Sequence, residues 1–469
     1  MSHPDPQSVV ADLWTMCGMP QKDLSHLSIE ISEDLPSRFH VGVAASSVIS
    51  AQALMAAKLW ALRTGKMQDV VVPMRRALAS FRAERYLHVD GELMGERHDE
   101  LHGYYPVGER QWVQLHTAFP HHKQGVLRIL GCEPTRDAVT AALKNWQAEQ
   151  LETQLAAAGL VGAAVRSHEQ WRTHPHAASI AGLPLFEVLR IGDAPVEPLG
   201  RGADPHRPLS GVRVLDLSRV IAAPVAARTL AQHGADVLAV SAPHLPQVQP
   251  FLIDTGRGKR QTYLDLRDEQ DADRLRQLVM EADVFVQAYR PGGLAERGFS
   301  PEALARLRPG LVYVTLSAYG HVGPWSNRRG YDSLVQSATG IAHAEAEAAG
   351  LQQPGKLPCQ ALDHASGYLA ALGAMVALHR RATEGGSWLV RVSLAQTGQW
   401  LRKLGERENG YLSADLTQDE VRPWLQIMQT PFGEVKAVCP AEIMSETPPR
   451  FDQVCVPCGT HEPAWLRVS

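Results

Sequence analysis

Asp363 is the residue whose setting most clearly allows chemistry. It stands in LDHASG (residues 362–367), directly before the apolar stretch YLAALGAMVAL. A polar residue at such a point is typical of a helix N-cap. A helix N-terminus also favours an ionised carboxylate, which can act as a covalent nucleophile. Capping and catalysis are therefore compatible predictions for Asp363. The adjacent His364 could assist the chemistry, although we expect it to be an exposed neighbour of the cap.

Two cationic segments are candidates for holding an anion. DTGRGKR (residues 254–260) places Arg257 and Lys259 beside two glycines, which would let backbone and charge approach phosphate oxygens together. YRPGG (residues 289–293) repeats this composition with Tyr289 and Arg290. Because Walker spacing is missing, a phosphate site and a solvated loop both stay open for residues 254–260.

A metal site is a weaker alternative near the end of the sequence. Cys439, Cys455, Cys458 and His461 could in principle supply four zinc ligands. A second C-x-x-C or an H-x-x-x-H is missing, and six scattered cysteines are typical of free thiols in a reducing compartment. We therefore predict no metal.

Alternating strands and helices should position the candidate residues. VRVLDL, ADVLAV, ADVFVQA and LVYVTLSA predict strands, and APVAARTLAQHG predicts a helix between the first two. This order indicates an α/β fold with a doubly wound parallel sheet, whose ligands bind beyond the carboxyl ends of the strands. The first such loop, residues 218–224, lacks G-x-G-x-x-G, which disfavours a nicotinamide or flavin cofactor.

The residues before this region predict a separate unit. Short aromatic and β-branched pieces between about 90 and 130, followed by helical periodicity over 136–160, indicate a smaller α+β domain. The proline-rich segment PVEPLGRGADPHRPLS interrupts regular structure, so we place a domain boundary near residue 205.

Composition limits the partners. The 46 Lys and Arg against 50 Asp and Glu give a formal charge of −4, so no overall field attracts nucleic acid or an anionic membrane. The first residues lack the features of a signal peptide, and no uninterrupted apolar run reaches the roughly 20 residues of a membrane helix. The expected location is cytoplasmic.

An internal repeat appears when the sequence is shifted by 320 positions. Two helical segments, each with a glycine turn and a Val-rich strand after it, then align without gaps, and Asp363 aligns with Val43. The shared layout favours duplication over chance. The identical positions are Ala51, Met55, Ala57, Gly65, Val70 and Val72, which match Ala371, Met375, Ala377, Gly385, Val390 and Val392.

A set of motifs in one order gives a resemblance to a known family. The family pattern runs through residues 209–398, and its motifs are LSGVRVLDLSRVIAAP, GADVLAV, GRGKRQTYLDL, ADVFVQAYRPGGLAERGF, RPGLVYVTLSAYG, GYDSLVQSATG and LDHASGYLAALGAMVAL. They resemble class III CoA-transferases, which include formyl-CoA and carnitine CoA-transferases, with α-methylacyl-CoA racemases as more distant members. The resemblance implies a Rossmann-like CoA-binding domain in which Asp363 is catalytic. It implies CoA contacts from Val220, Ile221, Ala222, Arg257, Lys259, Tyr289 and Arg329. Glu296 replaces a cofactor-binding arginine of some members, and either Arg290 or Arg297 is expected to compensate for it.

The order of the remaining pieces is rearranged relative to that family. Residues 44–205 resemble its later half, and residues 430–464 resemble its C-terminal end. We therefore predict an N-terminal helical and small α+β domain over 1–205, a Rossmann-like domain over 206–398 and a C-terminal segment over 399–469. The resemblance further implies a homodimer.

Transfer of CoA from an acyl-CoA to a small carboxylic acid is the activity that the resemblance implies. Asp363 would pass through an acyl-aspartyl anhydride and an aspartyl-CoA thioester, with CoA as co-substrate and no permanently bound cofactor. Backbone N–H groups at the helix start would stabilise the oxyanion. A racemase, isomerase or lyase acting on acyl-CoA is the enzymatic alternative, although Gly330-Tyr331-Asp332 replaces the G-H-D of racemases. A degenerate CoA-binding scaffold is the non-enzymatic alternative.

Overall fold

The computed structural model describes residues 4–95, 99–199, 204, 206–290 and 292–466. Its strands are β1 (Leu27–Glu30), β2 (Val70–Pro73), β3 (His88–Val89), β4 (Glu92–Leu93), β5 (Gly103–Val107), β6 (Gln111–Leu115), β7 (Gly162–Ala164), β8 (Phe186–Gly192), β9 (Arg213–Leu217), β10 (Asp236–Ser241), β11 (Lys259–Tyr263), β12 (Val284–Gln287), β13 (Val312–Ser317), β14 (Ser387–Ser393), β15 (Leu425–Thr430), β16 (Gly433–Val438) and β17 (Ile443–Met444).

Helices connect these strands and cover the main sheet. They are α1 (Pro6–Met16), α2 (Val41–Thr64), α3 (Met74–Ser80), α4 (Pro120–Leu130), α5 (Arg136–Leu143), α6 (Ala148–Ala157), α7 (His168–Arg172), α8 (Pro175–Ile180), α9 (Ala222–Gln232), α10 (Gln249–Thr255), α11 (Glu269–Met280), α12 (Pro301–Leu307), α13 (Asp332–Ala338), α14 (Ile341–Ala349), α15 (Ala361–Glu384), α16 (Leu394–Lys403) and α17 (Gln418–Val421).

A seven-stranded sheet forms the centre of the fold, with the order β11-β10-β9-β12-β13-β14-β8. Its neighbouring strands are parallel except for β8, which runs antiparallel to β14 at one edge. Apart from β8, this is the strand order of a doubly wound nucleotide-binding fold, in which the direction of winding reverses between β9 and β12. The predicted α/β class and parallel sheet are confirmed.

Both faces of the sheet are buried, as parallel sheets require. On one face Val214, Val286 and Val390 belong to the large core that includes α2, α9 and α15. On the other face Leu215, Phe285 and Leu389 pack with leucines of α11 and α12. Burial on both faces explains why these strands read as nearly continuous apolar runs.

The duplicated segments form two matching helices. α2 and α15 each contain 24 residues, and each is followed by a glycine and a strand. Their N-cap residues, His40 and Gln360, have nearly the same backbone angles, with φ −79° and ψ 67° against φ −75° and ψ 62°. The two strands that follow join different sheets, since β14 lies in the main sheet and β2 pairs with β1 and β17. These matches support the duplication inferred from the sequence.

Smaller sheets join distant parts of the chain. β5, β6 and β7 form a three-stranded sheet with a core of its own, shared with α4 to α6. A four-stranded sheet has the order β15-β16-β3-β4, so it combines residues of the N-terminal and C-terminal segments. β8 carries the N-terminal segment into the main sheet. The boundaries near 205 and 398 stay a prediction from sequence, because these sheets cross them.

Two of the described helices, α2 and α15, are long and apolar enough to span a membrane. Buried shares of 94% and 100% in their most apolar windows show that both lie inside the protein core. Core helices have this length and composition without contacting lipid, so neither helix indicates a membrane.

Candidate functional site

The main cavity has a volume of about 570 Å³ and opens beyond the carboxyl ends of β9 to β13. This edge, where the winding of the sheet reverses, is the expected ligand position for such a fold. Asp363 contributes to the cavity wall, together with loops that follow the strands. The loop residues in the wall include Ser218–Ala222, Ala242, Pro246, Leu264–Arg267, Tyr289 and Arg290.

Asp363 is the third residue of α15 and is 7% exposed. The N-cap is Gln360, so the prediction that Asp363 caps this helix is wrong. A carboxylate in the first turn still lies at the positive end of the helix. Its side chain therefore reaches the cavity from a rigid, buried element.

Close packing of α15 against α9 brings the first loop beside Asp363. A side chain at Gly367, one turn further along α15, would place its Cβ 2.5 Å from the carbonyl oxygen of Ala222 and 2.8 Å from Val225 Cβ. Glycine is thus required for the helices to approach at this point. The glycine of the LDHASG motif has a packing function next to the catalytic candidate.

The loop after β9 adopts an uncommon backbone. Val220 has φ of +73°, which is sterically unfavourable for a β-branched residue. Such conformations cost about 1–3 kcal/mol and are concentrated at functional sites. Val220, Ile221 and Ala222 all line the cavity, as do the other predicted contacts Tyr289, Arg290 and Arg329.

Arg257 and Lys259 do not lie in this cavity. Arg257 is 1% exposed; its Nη1 donates to the carbonyl of Val438 at 2.6 Å, and its Nη2 lies 2.5 Å from Asp254 Oδ1. Lys259 is 2% exposed and its Nζ donates to Asp216 Oδ2 at 2.7 Å and to the carbonyl of Pro224 at 2.8 Å. The structure therefore corrects the expected phosphate contacts, because both cations are bound to buried protein groups.

The position of the 254–260 segment explains this difference. Residues 254–258 precede β11 and Lys259 is the first residue of that strand, so the segment lies at the amino edge of the sheet, while the cavity lies at the carboxyl edge. Lys259 borders a smaller space of about 40 Å³, which adjoins the main cavity and shares Ser218, Arg219 and Val220 with it. Burial lowers the pKa of the Lys259 ammonium, and Asp216 opposes that change. Its ion pair is part of the core.

Other arginines supply the positive charge of the cavity. Arg297 donates to the carbonyl of Leu266 at 2.8 Å, and Arg329 donates to that of Gly159 at 3.0 Å. Arg290 lies 3.9 Å from Glu296, a loose pair at the surface. Arg290, Arg297 and Arg329 are therefore not held by close carboxylate partners, so they can bind an anion. The arginines in the cavity wall are Arg219, Arg267, Arg290, Arg297, Arg328 and Arg329.

Aromatic side chains at the start of α4 form one wall of the cavity. Phe119, His121 and His122 line it, and the Tyr331 ring stacks on His116 with centroids 4.1 Å apart. Burial raises the pKa of the Tyr331 phenol to about 12, and the nearby Asp363 adds to the rise. The phenol therefore stays protonated and can donate a hydrogen bond.

His122 is a neutral imidazole in this wall. Burial, followed by His121, Arg329 and Arg219, lowers its pKa to about 4. It is 2% exposed, and its Nδ1 has no hydrogen-bond partner among the residues that the structure describes. Sequence reasoning missed His121 and His122, because they lie about 240 residues before Asp363 and only tertiary packing brings them together.

His364 points away from the cavity wall. Its Nε2 lies 3.1 Å from Glu84 Oε2, its ring stacks on Phe81, and its side chain is 1% exposed. The expectation that it is exposed is therefore wrong. His364 connects α15 to the N-terminal segment.

The backbone N–H groups at the start of α15 are also engaged. Those of Leu362 and Asp363 both donate to Asp332 Oδ2, at 2.8 and 2.9 Å, and that of His364 donates to the carbonyl of Gln360 at 3.0 Å. They do not form the oxyanion site expected from sequence. Tyr331 is the donor that the structure places near Asp363 instead.

The six cysteines are free thiols. Within the part of the chain that the structure describes, no group of three or more His, Cys, Asp or Glu side chains could hold a metal ion.

The fold and site define an α/β protein with a cationic cavity and a buried carboxylate at the switch point of its sheet. Residues 209–406 match CoA-transferase family III. Over these residues the chain is similar to that family, which agrees with the resemblance seen in the sequence.

Curated relatives agree with this assignment over part of their length. An acetyl-coenzyme A transferase of Hypoxylon pulicicidum is 33% identical over 251 residues, 51% of this chain and 42% of the relative. A probable fatty acyl-CoA transferase of Mycobacterium tuberculosis is 32% identical over 205 residues, 41% of this chain and 52% of the relative. The chain thus spans about half the length of the relatives it matches.

A solved structure of a Mycobacterium tuberculosis protein is 31% identical and covers 45% of this chain and 57% of that chain, with a TM-score of 0.40.

Proposed function

We propose that the protein is a CoA-transferase that moves CoA from an acyl-CoA donor to a carboxylic acid acceptor. The observation that carries this proposal is the presence of Asp363 and six arginines in one cavity. The cavity combines a nucleophile with cations that suit a phosphate-bearing substrate. Relatives named as acetyl-CoA, fatty acyl-CoA and succinyl-CoA:glutarate transferases support the same class of reaction.

CoA recognition is assigned to the arginines around the cavity mouth. Arg290 and Arg297 follow β12, next to the loop 218–222, whereas Arg267, which follows β11, is already paired with Asp265 at 2.6 Å. Arginine binds phosphate oxygens through several donors, and each charge-assisted contact contributes about 1.5–3 kcal/mol. Arg290 and Arg297 replace Arg257 and Lys259 as the proposed phosphate contacts.

The first half of the reaction transfers the acyl group to the protein. A carboxylate oxygen of Asp363 attacks the thioester carbonyl carbon, and the carbon–sulfur bond breaks to give an acyl-aspartyl anhydride and CoA thiolate. The thiolate then attacks the aspartyl carbonyl carbon. This step releases the donor carboxylate and leaves an aspartyl-CoA thioester.

The second half repeats these steps in reverse with the acceptor. The acceptor carboxylate attacks the aspartyl thioester, which expels CoA thiolate and forms a new mixed anhydride. Thiolate attack at the acceptor carbonyl gives acceptor-CoA and restores Asp363. The thioester is exchanged throughout, so the sequence of steps consumes no ATP, and the Tyr331 phenol is positioned to donate to a developing oxyanion.

A racemase or related acyl-CoA isomerase is the second candidate, and one observation favours it. His122 and Asp363 line the same cavity, so an imidazole and a carboxylate could move a proton on and off the carbon beside the thioester. The covalent route differs because it requires a carboxylic acid acceptor. The proton-transfer route instead predicts that the hydrogen on this carbon exchanges with deuterium in D₂O.

A donor–acceptor screen tests the proposal. Isotope-labelled acyl-CoA esters are incubated with a panel of carboxylic acids, and CoA esters are separated by mass. We expect label in an acceptor-CoA with wild type and none with Asp363→Asn. Hydrogen exchange in D₂O without any acceptor-CoA would favour isomerisation, and neither activity would favour a binding protein.

The cytoplasmic location and the homodimer expected from sequence are proposals too. Light scattering of the purified protein gives its molar mass and so tests whether it is a homodimer.

A further inference from the structure

The helix that carries Asp363 does not cap its own N-terminus. The first N–H groups of a helix have no partner within the helix and need an outside acceptor. Gln360, the N-cap of α15, makes no side-chain capping hydrogen bond, and neither does His40, the N-cap of the matching α2. Each helix therefore depends on an acceptor from elsewhere in the chain.

A buried aspartate fills that position at both helices. Asp34 Oδ1 accepts from the backbone N–H of Gly42 at 2.7 Å. Asp332 Oδ2 accepts from Leu362, which corresponds to Gly42 in the repeat, at 2.8 Å, and also from Asp363 itself at 2.9 Å. A buried aspartate thus accepts N–H groups at the start of both helices. α15 carries Asp363 in the cavity wall, whereas α2 has Val43 at the matching position.

Asp332 is itself held firmly. It is the first residue of α13 and is 1% exposed, and its Oδ1 accepts from the side chain of Gln336. Gln336 in turn accepts from the backbone N–H of Leu357 at 2.9 Å. This chain of hydrogen bonds ties the start of α15 to α13 and to the segment before α15.

We infer that Asp332 is the positioning residue for Asp363, fixing the direction of its carboxylate through the backbone of the first helical turn. The inference rests on the proposed function. Asp332 is not among the residues that line the cavity, so it acts through Asp363. The motif Gly330-Tyr331-Asp332 then has divided roles, with Tyr331 in the cavity wall and Asp332 behind it.

Asp332→Asn tests this inference, with Asp34→Asn as its matched control. Asn keeps one oxygen acceptor but loses the charge that binds two N–H groups. A nucleophile displaced by about 1 Å loses roughly 100-fold in rate, so we expect kcat to fall about that much in Asp332→Asn, with KM for acyl-CoA nearly unchanged. Asp34→Asn should lose comparable stability and keep wild-type kcat.

Two further measurements separate positioning from general destabilisation. Amide hydrogen exchange should accelerate at Leu362 and Asp363 in Asp332→Asn, and at Gly42 in Asp34→Asn. Hydroxylamine labelling of Asp363 after addition of acyl-CoA should slow only in Asp332→Asn. If wild type is labelled and Asp332→Asn keeps both the kcat and the labelling rate of wild type, the inference is overturned. If wild type itself is not labelled, the proposed covalent function is overturned instead.

Discussion

Lys259 Nζ lies 2.7 Å from Asp216 Oδ2, and both side chains are 2% exposed. Removing one partner of a buried ion pair leaves an uncompensated charge and typically costs about 3–5 kcal/mol. Lys259→Met should therefore lower the free energy of unfolding by that amount. Denaturant unfolding of Lys259→Met, Asp216→Asn and the double variant measures the pair.

The double variant is the control for this prediction. It leaves neither charge buried, so its stability should exceed that of Lys259→Met. Equal stability in Lys259→Met and wild type, together with weaker CoA binding, would return Lys259 to the phosphate site.

Arg290→Gln should weaken CoA binding by about 1.5–3 kcal/mol, because one charge-assisted phosphate contact is lost. Calorimetry at two ionic strengths measures the affinity, and the salt dependence should decrease in the variant. Arg276→Gln is the matched control: it removes an arginine that pairs with Glu269 and Asp273 on α11 and is not in the cavity wall. An equal loss of affinity in both variants would indicate a general charge effect and contradict the assignment.

Asp34 makes stability depend on pH. Burial raises its pKa from 3.8 to about 6, although Arg407 and the N–H groups of Gly42 and Leu35 oppose the rise. Between these two pKa values the folded state binds more protons than the unfolded state, so this residue's contribution falls as pH rises from about 4 to 6. The stability difference between wild type and Asp34→Asn should shrink by about 2–3 kcal/mol over this window.

Unfolding in urea at a series of pH values measures that difference. A constant difference would show that the Asp34 carboxyl titrates as it does in the unfolded chain, and a difference that grows with pH would show that folding lowers its pKa; either result would contradict this prediction.

Val43→Asp should not create a second active site. Val43 is 6% exposed in the large core and is not among the residues of the main cavity wall. A carboxylate there is buried without a partner, so we expect a loss of stability and one covalent adduct per chain. Intact-protein mass after trapping measures the stoichiometry, and two adducts per chain would contradict this expectation.

The fold was largely predictable because its signals are local. Apolar strand runs and intervening helices indicated β9, β10, β12 and β13, and their alternation implied a parallel sheet. Asp363 was found because a single carboxylate before a long apolar helix is visible in the sequence. The loop 218–222 followed from the rule that ligands lie beyond strand ends.

The site details were less predictable because they depend on tertiary packing. Local composition and the family resemblance both selected Arg257 and Lys259, but neither shows which other side chains these cations contact in the fold. Asp332 lies 31 positions from Asp363, and Phe119 reaches the cavity from the N-cap of α4. No spacing in the sequence indicates these contacts.

The covalent role of Asp363 is tested most directly by trapping. Wild type and Asp363→Asn are incubated with acyl-CoA and hydroxylamine, digested, and analysed by mass spectrometry. We expect a hydroxamate on Asp363 in wild type and none in Asp363→Asn, and we expect Asp363→Asn to lose transfer by several orders of magnitude while its fold and CoA binding survive. Near-wild-type transfer in Asp363→Asn, or a hydroxamate on a different residue, would contradict it.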